Sequence, residues 1–567
     1  MRWPGLCIIG LAAAVGMPAF GQHDFGKISG YAGSGVEIWI SGCWSDLPPG
    51  GMAPLNIRIR NDAGKAQSWV VSTTGGGQFR SSAVHAEQQL TVEAATERTF
   101  QVLAPLPPQP GNNYTSTIDV SIAGAGIASE KRTQNTYRRG PTLTPFVAMS
   151  EQLHARSWAP LETSLSSGKT LTGALFQPED LPGNWRGFDG VGALWISSGE
   201  LLSRVRPEAR EALLQWVAAG GTLCIAEISG SDRGALRLPA HDNGQHGFGR
   251  IVYGTWDGKE LPAATAARPL SADVISATFL VRTELGNLAG KLTTRFGFIM
   301  VAVCLFAIVV GPVNLFVFAG GTKRHRLLFT TPLISIGASG VLMLIILLQD
   351  GTGGTGARMT VVHLMPESKC RVVLQEQVAR TGLLMARDWQ PAHEISIAPV
   401  RVTNAKGGGE TGSGDYRLAG GRYSGDWFVS RAVQAHFIES VQPSRARVEL
   451  SGHPSAPVIV SHVEEVLSEL FLVGTDSKHW KAKTVRAGER HPLEPATAAE
   501  FDLWWANLSS GANGRMQRLL TRAEPRSGYF YATAVEPDKT AIDTLGSIRW
   551  QTPRALFLGP VTTGTQP

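Results

Sequence analysis

The chain has 567 residues, 43% of them hydrophobic and 17% charged, with 65 Gly, 33 Pro and a formal net charge of +6. That length exceeds a single domain of ~100–200 residues, and the composition is that of folded, turn-rich material rather than of a disordered chain. The positive charge is spread thinly, with no long Lys/Arg run, so the chain lacks the basic face that a nucleic-acid partner requires.

Residues 1–22 read as a secretory signal peptide. Arg2 supplies the positive start, residues 6–15 are apolar, and Ala19-Phe20-Gly21 places small residues where a signal peptidase reads. Residues 23–140 follow as short strand-like runs at 36–41, 55–60, 69–72, 89–94, 99–103 and 115–123. In Leu55-Asn56-Ile57-Arg58-Ile59-Arg60 apolar and polar residues alternate, the period of a strand with one buried face. Turn clusters such as Asp46-Leu47-Pro48-Pro49-Gly50-Gly51 separate the runs, and this spacing predicts an immunoglobulin-like β-sandwich.

Residues 141–270 change character. Apolar runs at 144–149, 171–176 and 192–197 read as buried strands, and 206–219 reads as a helix. Pro207 suits its first turn, Glu208 its positive end, and Gly220-Gly221 its close. Ala209, Leu213, Trp216 and Val217 share one face. Further strands at 222–228 and 249–253 complete a strand–helix–strand order that predicts an α/β layer with a parallel sheet.

The stretch Leu181-Pro182-Gly183-Asn184-Trp185-Arg186-Gly187-Phe188-Asp189, then Ala193-Leu194-Trp195-Ile196-Ser197, then Ala212-Leu213-Leu214-Gln215-Trp216-Val217-Ala218-Ala219-Gly220-Gly221, resembles the class I glutamine amidotransferase-like domain of a group of bacterial membrane-anchored proteins. In that group two transmembrane helices follow, and the first ends in a phrase similar to Gly311-Pro312-Val313-Asn314-Leu315-Phe316. The resemblance covers about residues 140–350. It implies a flavodoxin-like layer fold and a bacterial envelope setting, and no known activity.

A working amidotransferase of that fold carries a Cys on a sharp strand-to-helix turn, with a His and an acid downstream. The corresponding turn here is Ser197-Ser198-Gly199-Glu200, without a cysteine. Cys224 sits inside an apolar strand, where a thiol serves as a small core residue rather than a nucleophile. Ser197, Ser198 and Glu200 fall at the C-terminal edge of the strands, where open α/β sheets bind ligands, or they form a plain helix start. His241 and His246, in His241-Asp242-Asn243-Gly244-Gln245-His246, read as a polar loop or as a metal or catalytic-histidine loop. No catalytic residue is assigned, and no nucleotide, cofactor or metal motif occurs.

Residues 271–295 read as a juxtamembrane connector and 296–349 as two transmembrane helices. The stretches 296–319 and 327–348 carry no charge, and each exceeds the ~20 apolar residues that a span needs. Between them, in the loop 320–326, Lys323, Arg324 and Arg326 place the loop in the cytoplasm. Both large portions then lie outside the bacterial inner membrane, on the periplasmic side. Gly311 and Pro312 should break or kink the first span, and Asn314, polar within the bilayer, should face a partner helix.

Beyond 350–356, read as a flexible Gly-rich linker, residues 350–567 form a β-rich extracytoplasmic region. Its expected strands are 359–364, 371–376, 394–402, 427–429, 445–450, 457–462, 529–535 and 554–558, and 497–522 has helical character. The adjacent Trp504-Trp505 reads as a packed pair or as a surface for sugars or the bilayer interface. Cys43 and Cys370 leave one bridge open. The whole reads as a multidomain membrane-anchored cell-envelope protein, a non-catalytic binding or scaffold component with the lipid bilayer and other envelope proteins as partners. An envelope hydrolase with a divergent site, or a carbohydrate-binding protein, are the alternatives.

Overall fold

Apolar side chains alternate along strands of the N-terminal part and run unbroken through those of the α/β part, and the computed structural model turns that difference into different sheets. It describes residues 24–77, 82–107, 113–139, 146–155, 172–227, 230–235, 244–254, 278–280, 283–290, 296–318, 326–403, 414–453, 455–509, 520 and 525–563. The expected signal peptide, His241, Lys323, Arg324 and the segments 404–413 and 510–519 lie outside these residues. The described strands gather into sheets of four, six, thirteen and six strands, so the chain is a multidomain, mostly β protein.

The N-terminal part packs two sheets over one core. Asp24–Ser29, Val36–Gly42, Gly51–Asn61 and Thr96–Leu106 form the first. Val36–Gly42 alternates buried and half-buried positions, and its Ile38 and Ile40 meet Trp69, Val71 and Ile118 of the second sheet. That second sheet contains Gln67–Gly77, Ala83–Val92, Asn113–Gly124 and Glu130–Arg139, and it is extended by a hairpin, Asp415–Ala419 and Arg422–Gly425, from beyond the apolar helices. Asp415–Ala419 pairs in parallel with 83–87, from Asp415 opposite Ala83 to Ala419 opposite Glu87.

In the α/β part, Phe146–Ser150, Thr172–Phe176, Ala193–Ser197, Thr222–Ala226 and Gly249–Gly254 are parallel neighbours, and in order of appearance they lie 2-1-3-4-5 across the sheet. Phe146–Ser150, Ala193–Ser197 and Thr222–Ala226 are buried at every position, the signature of strands covered on both faces. Helix Pro207–Ala219 lies on one face, with Pro207 in its first turn and Gly220 closing it at φ 128°, a conformation that glycine adopts without strain. Its Leu213 and Trp216 share a core with the parallel sheet on one side and with the thirteen-stranded sheet on the other.

The thirteen-stranded sheet is built around Gly354–Met365, flanked by Cys370–Thr381 and, in parallel, by Ile548–Thr563. It also takes in Thr278–Leu280, from before the apolar helices, in parallel with Ser396–Thr403. Two expectations fail here. Residues 427–429 are a turn, not a strand, and Trp427 and Phe428 are apolar because they fill the core. Residues 350–356 are not a flexible linker: Gly353 donates to the Leu383 carbonyl at 2.9 Å, and the strand begins at Gly354. Their glycines admit close neighbours, since a Cβ on Gly353 would lie 2.1 Å from the Ser547 carbonyl oxygen.

Of the two expected spans, Leu327–Asp350 contains a helix long and apolar enough to cross a bilayer. The other is divided into an α-helix, Phe296–Ile308, and a π-wound segment, Val309–Phe318, which leaves a shorter apolar stretch, Val303–Val317. Pro312 lies within the π-wound segment, where its missing N–H removes a helix bond. Asn314, fully buried, donates to Thr331 Oγ1 of the second helix at 2.9 Å.

Candidate functional site

Strand Ala193–Ser197 ends at the place where the order of the parallel strands reverses, and the chain turns there directly into helix Ser198–Ser203. Ser197 caps that helix. Its Oγ accepts from the Glu200 backbone N–H at 3.3 Å, while one Glu200 carboxylate oxygen accepts from the Ser197 backbone at 3.2 Å and from its hydroxyl at 2.8 Å. This reciprocal capping box follows from the Ser-x-x-Glu spacing. The same oxygen accepts from Ser150 Oγ, on the neighbouring strand, at 2.9 Å. Ser150 in turn caps helix Glu151–His154, accepting from the Leu153 N–H at 3.2 Å.

Glu200 is therefore a buried knot between two strand ends. Its second oxygen faces Arg204 Nη1 at 3.6 Å, and Arg204 is gripped by Glu179 at 2.6 and 3.0 Å and by Gln177 at 3.0 Å. The guanidinium bonded to Glu179 holds its carboxyl below the usual range, whereas burial raises that of Glu151. Ser150, Arg204, Glu179 and Gln177 were missed by the sequence reading. Of these, only Arg204 carries a local mark in the sequence, its i,i+4 spacing from Glu200.

The Ser198 hydroxyl donates to the Glu227 carbonyl at 2.8 Å, so its acceptor is a carbonyl rather than an imidazole. His246 stands at the other end of the sheet. It pairs with Gly249, one row before the row shared by Thr222 and Arg250, whereas Ser197 shares a row with Ala226. Five rows at ~3.3 Å each separate the two, far beyond hydrogen-bond reach. Cys224 lies in the middle of its strand among Val147, Met149 and Trp195. The structure thus brings Ser197, Ser198 and Glu200 together and leaves His246 and Cys224 apart from them. Among the described residues no cluster of three or more His, Cys, Asp and Glu is placed to hold a metal ion.

Trp504 and Trp505 form no planar platform. On helix Ala498–Ser509 their rings pack on Phe501 at 5.9 and 6.1 Å, Trp505 meets Tyr531 at 5.4 Å, and Trp504 Nε1 donates to Glu469 at 3.0 Å. Where the N-terminal sheets, the α/β part and the hairpin meet, Tyr416, Tyr423, Trp427, Met52, Leu106 and Ile397 line a cavity of about 50 Å³. At ~10–15 Å³ per probe-sized water, that admits a few waters and not a sugar ring.

Cys43 and Cys370 are both free and buried. Burial raises both thiols, Cys370 to about 11. The expected result is that neither reacts with a maleimide in the folded protein near neutral pH, and that both titrate once the chain is unfolded. A non-reducing gel mobility that shifts on reduction would contradict the free assignment.

The sequence matches no protein-family model and no curated protein. Among solved structures, the chain is similar to the cycloisomaltooligosaccharide glucanotransferase of Paenibacillus sp., at 14% identity over 33% of this chain and 27% of that one, with a TM-score of 0.15. A β-glucuronidase of Bacteroides uniformis matches at 13% over 34% and 28%, with a TM-score of 0.15. The exo-chitosanase of Amycolatopsis orientalis matches at 9% over 88% and 78%, with a TM-score of 0.16. This chain thus spans little more than a quarter of the first two. At TM-scores this low, the likeness defines neither a shared fold nor a shared site.

Proposed function

We propose that this chain is a bacterial envelope protein anchored in the inner membrane by a helical hairpin, and that its two exported portions form one non-catalytic scaffold for envelope partners. The observation that carries the reading is strand sharing across the apolar segments. Ala83–Val92 pairs with Asp415–Ala419, and Thr278–Leu280 pairs with Ser396–Thr403. A sheet cannot be hydrogen-bonded through a bilayer, so this pairing supports placing both portions in one compartment, with an even number of crossings between them. The outward apolar side chains of the helices, such as Phe316, Leu328, Phe329 and Ile336, each more than 70% exposed, suit lipid and not water.

The 2-1-3-4-5 parallel order supports a flavodoxin-like, amidotransferase-like layer. The turn that would carry its nucleophile is occupied by a capping box and by a Ser198 hydroxyl committed to a carbonyl. Loss of that chemistry supports a binding role.

Topology is tested by single cysteines and a membrane-impermeant maleimide. Tyr31→Cys and Met385→Cys, at sites 62% and 83% exposed, should both label from the outer face, whereas Thr322→Cys, in the short basic loop, should label only after lysis. Opposite labelling of Tyr31→Cys and Met385→Cys would sink the hairpin. For the scaffold role, wild type and Ser198→Ala should capture the same envelope partners from detergent-solubilised membranes. A partner or bound small molecule that changes with Ser198→Ala would move the reading to catalysis.

A further inference from the structure

Between the parallel sheet and the thirteen-stranded sheet lie two buried histidines that the reading above leaves without a role. His363, on Gly354–Met365, is 1% exposed, and its ring stands edge-on to Phe248 at 5.2 Å and to Tyr529 at 5.8 Å. His246, at the edge of the parallel sheet, is 8% exposed, and the carbonyl of the adjacent Gly247 accepts from Arg526 at 3.3 Å. Among the described residues, neither ring nitrogen of His363 has a hydrogen-bond partner, nor has Nε2 of His246. A buried ring nitrogen left unbonded costs stability, and Phe or Leu would fill the same space without that cost.

The groups facing His363 are apolar, phenolic or basic, and none of those named below is a carboxylate. Val372 and Leu558 flank it in register. From residues 525–531 come Arg526, whose guanidinium lies over the Tyr529 ring at 5.3 Å, and the phenols of Tyr529 and Tyr531. The charges that act on the ring are those of Arg526 and His246. Glu211, on helix Pro207–Ala219, acts instead on Cys370. Protonation would set two imidazolium ions beside a guanidinium.

We propose that His246 and His363 are an acid-released latch: neutral, they let the α/β layer seat on the central sheet, and charged, they expel it. The sign follows from burial. It lowers His246 from 6.5 to about 4 and His363 well below 6.5, so the undocked state binds more protons once the pH falls below 6.5. Docking is complete above that value and is lost progressively toward 4. This chemistry is independent of the scaffold reading.

Hydrogen exchange of the full-length protein in detergent tests it, with rates corrected for intrinsic pH dependence. Between about pH 7.5 and about pH 5, exchange in Gly249–Gly254 and Pro207–Ala219 should rise by at least about tenfold, one unit of linkage, while Gly51–Asn61 in the N-terminal core stays constant. His246→Phe with His363→Phe should abolish the acid response, and if that pair impairs folding, His363→Leu alone carries the comparison. A flat wild-type profile overturns the latch, as does a variant that keeps the full response.

Discussion

If the proposed membrane hairpin holds, replacing residues 291–350 by a flexible linker of about six residues should release the two flanking portions as one folded, water-soluble body, whereas removing only one apolar segment should destroy that body. The ends to be joined already touch: the Thr355 hydroxyl donates to the Ala289 carbonyl at 2.9 Å, and a six-residue linker reaches ~20 Å. Helix Glu284–Ala289 packs with Leu285 and Ala289 in the same core as Ala357 and Met359, so the base of the body closes without the spans. With a single span left, residues 354–563 would face the opposite side from residues 24–290. The core that joins Leu213, Trp216 and Phe248 to Phe437, Tyr531 and Leu558 would then be divided by a membrane. Burying each such side chain contributes ~1.5–3 kcal/mol, so ten of them outweigh the ~5–15 kcal/mol net stability of a domain. Solubility without detergent, and exchange protection equal to that of the full chain, would verify the linker form. Equal protection in a single-span form would show that the two portions fold apart.

The parallel sheet was the most legible part of the molecule because its strands are buried on both faces. Ala193–Ser197 and Thr222–Ala226 stand out as apolar blocks, and helix Pro207–Ala219 carries its own start and stop residues. Val433–Pro443 went unread for the converse reason. Its buried His436, Glu439 and Ser440 face other polar groups, as where His436 Nδ1 meets Gln377 Nε2 at 3.4 Å, so burial there leaves no apolar pattern. The hairpin Asp415–Gly425 is short and polar, and its place in the sheet depends on a partner strand far earlier in the chain, at residues 83–87. No local pattern encodes such a pairing, and so the N-terminal sheets read as self-contained when they are not. At the candidate site the helix start could be read from Ser197 and Glu200, but the third donor, Ser150, arrives from a neighbouring strand. Trp427 and Phe428 show the opposite failure, since an apolar run reports burial and not by itself a strand.

Glu200→Ala should destabilise the C-terminal edge of the parallel sheet by about 3–7 kcal/mol, which adds the loss of a helix cap, ~1 kcal/mol, to the stranding of two buried hydroxyl donors at ~1–3 kcal/mol each. The donors are Ser150 Oγ and Ser197 Oγ, which both converge on one oxygen of a side chain that is 3% exposed. Arg204 would keep its two bonds to Glu179, so the surface ion pair survives and the damage stays inside. Glu200→Gln retains one amide oxygen for these donors and should cost about half as much. Ser198→Ala removes only the bond to the Glu227 carbonyl and should cost ~1 kcal/mol. A molecule of several packed layers does not unfold in one step, so the measurement is local exchange in Ser198–Ser203 and Glu151–His154 rather than a melting temperature. At ~1.4 kcal/mol per tenfold, Glu200→Ala should speed exchange there by over a hundredfold. A change under about tenfold would mean that the carboxylate does not hold the two strand ends together. Glu200, buried yet dispensable to the fold, would then become the residue at this edge to examine for a ligand.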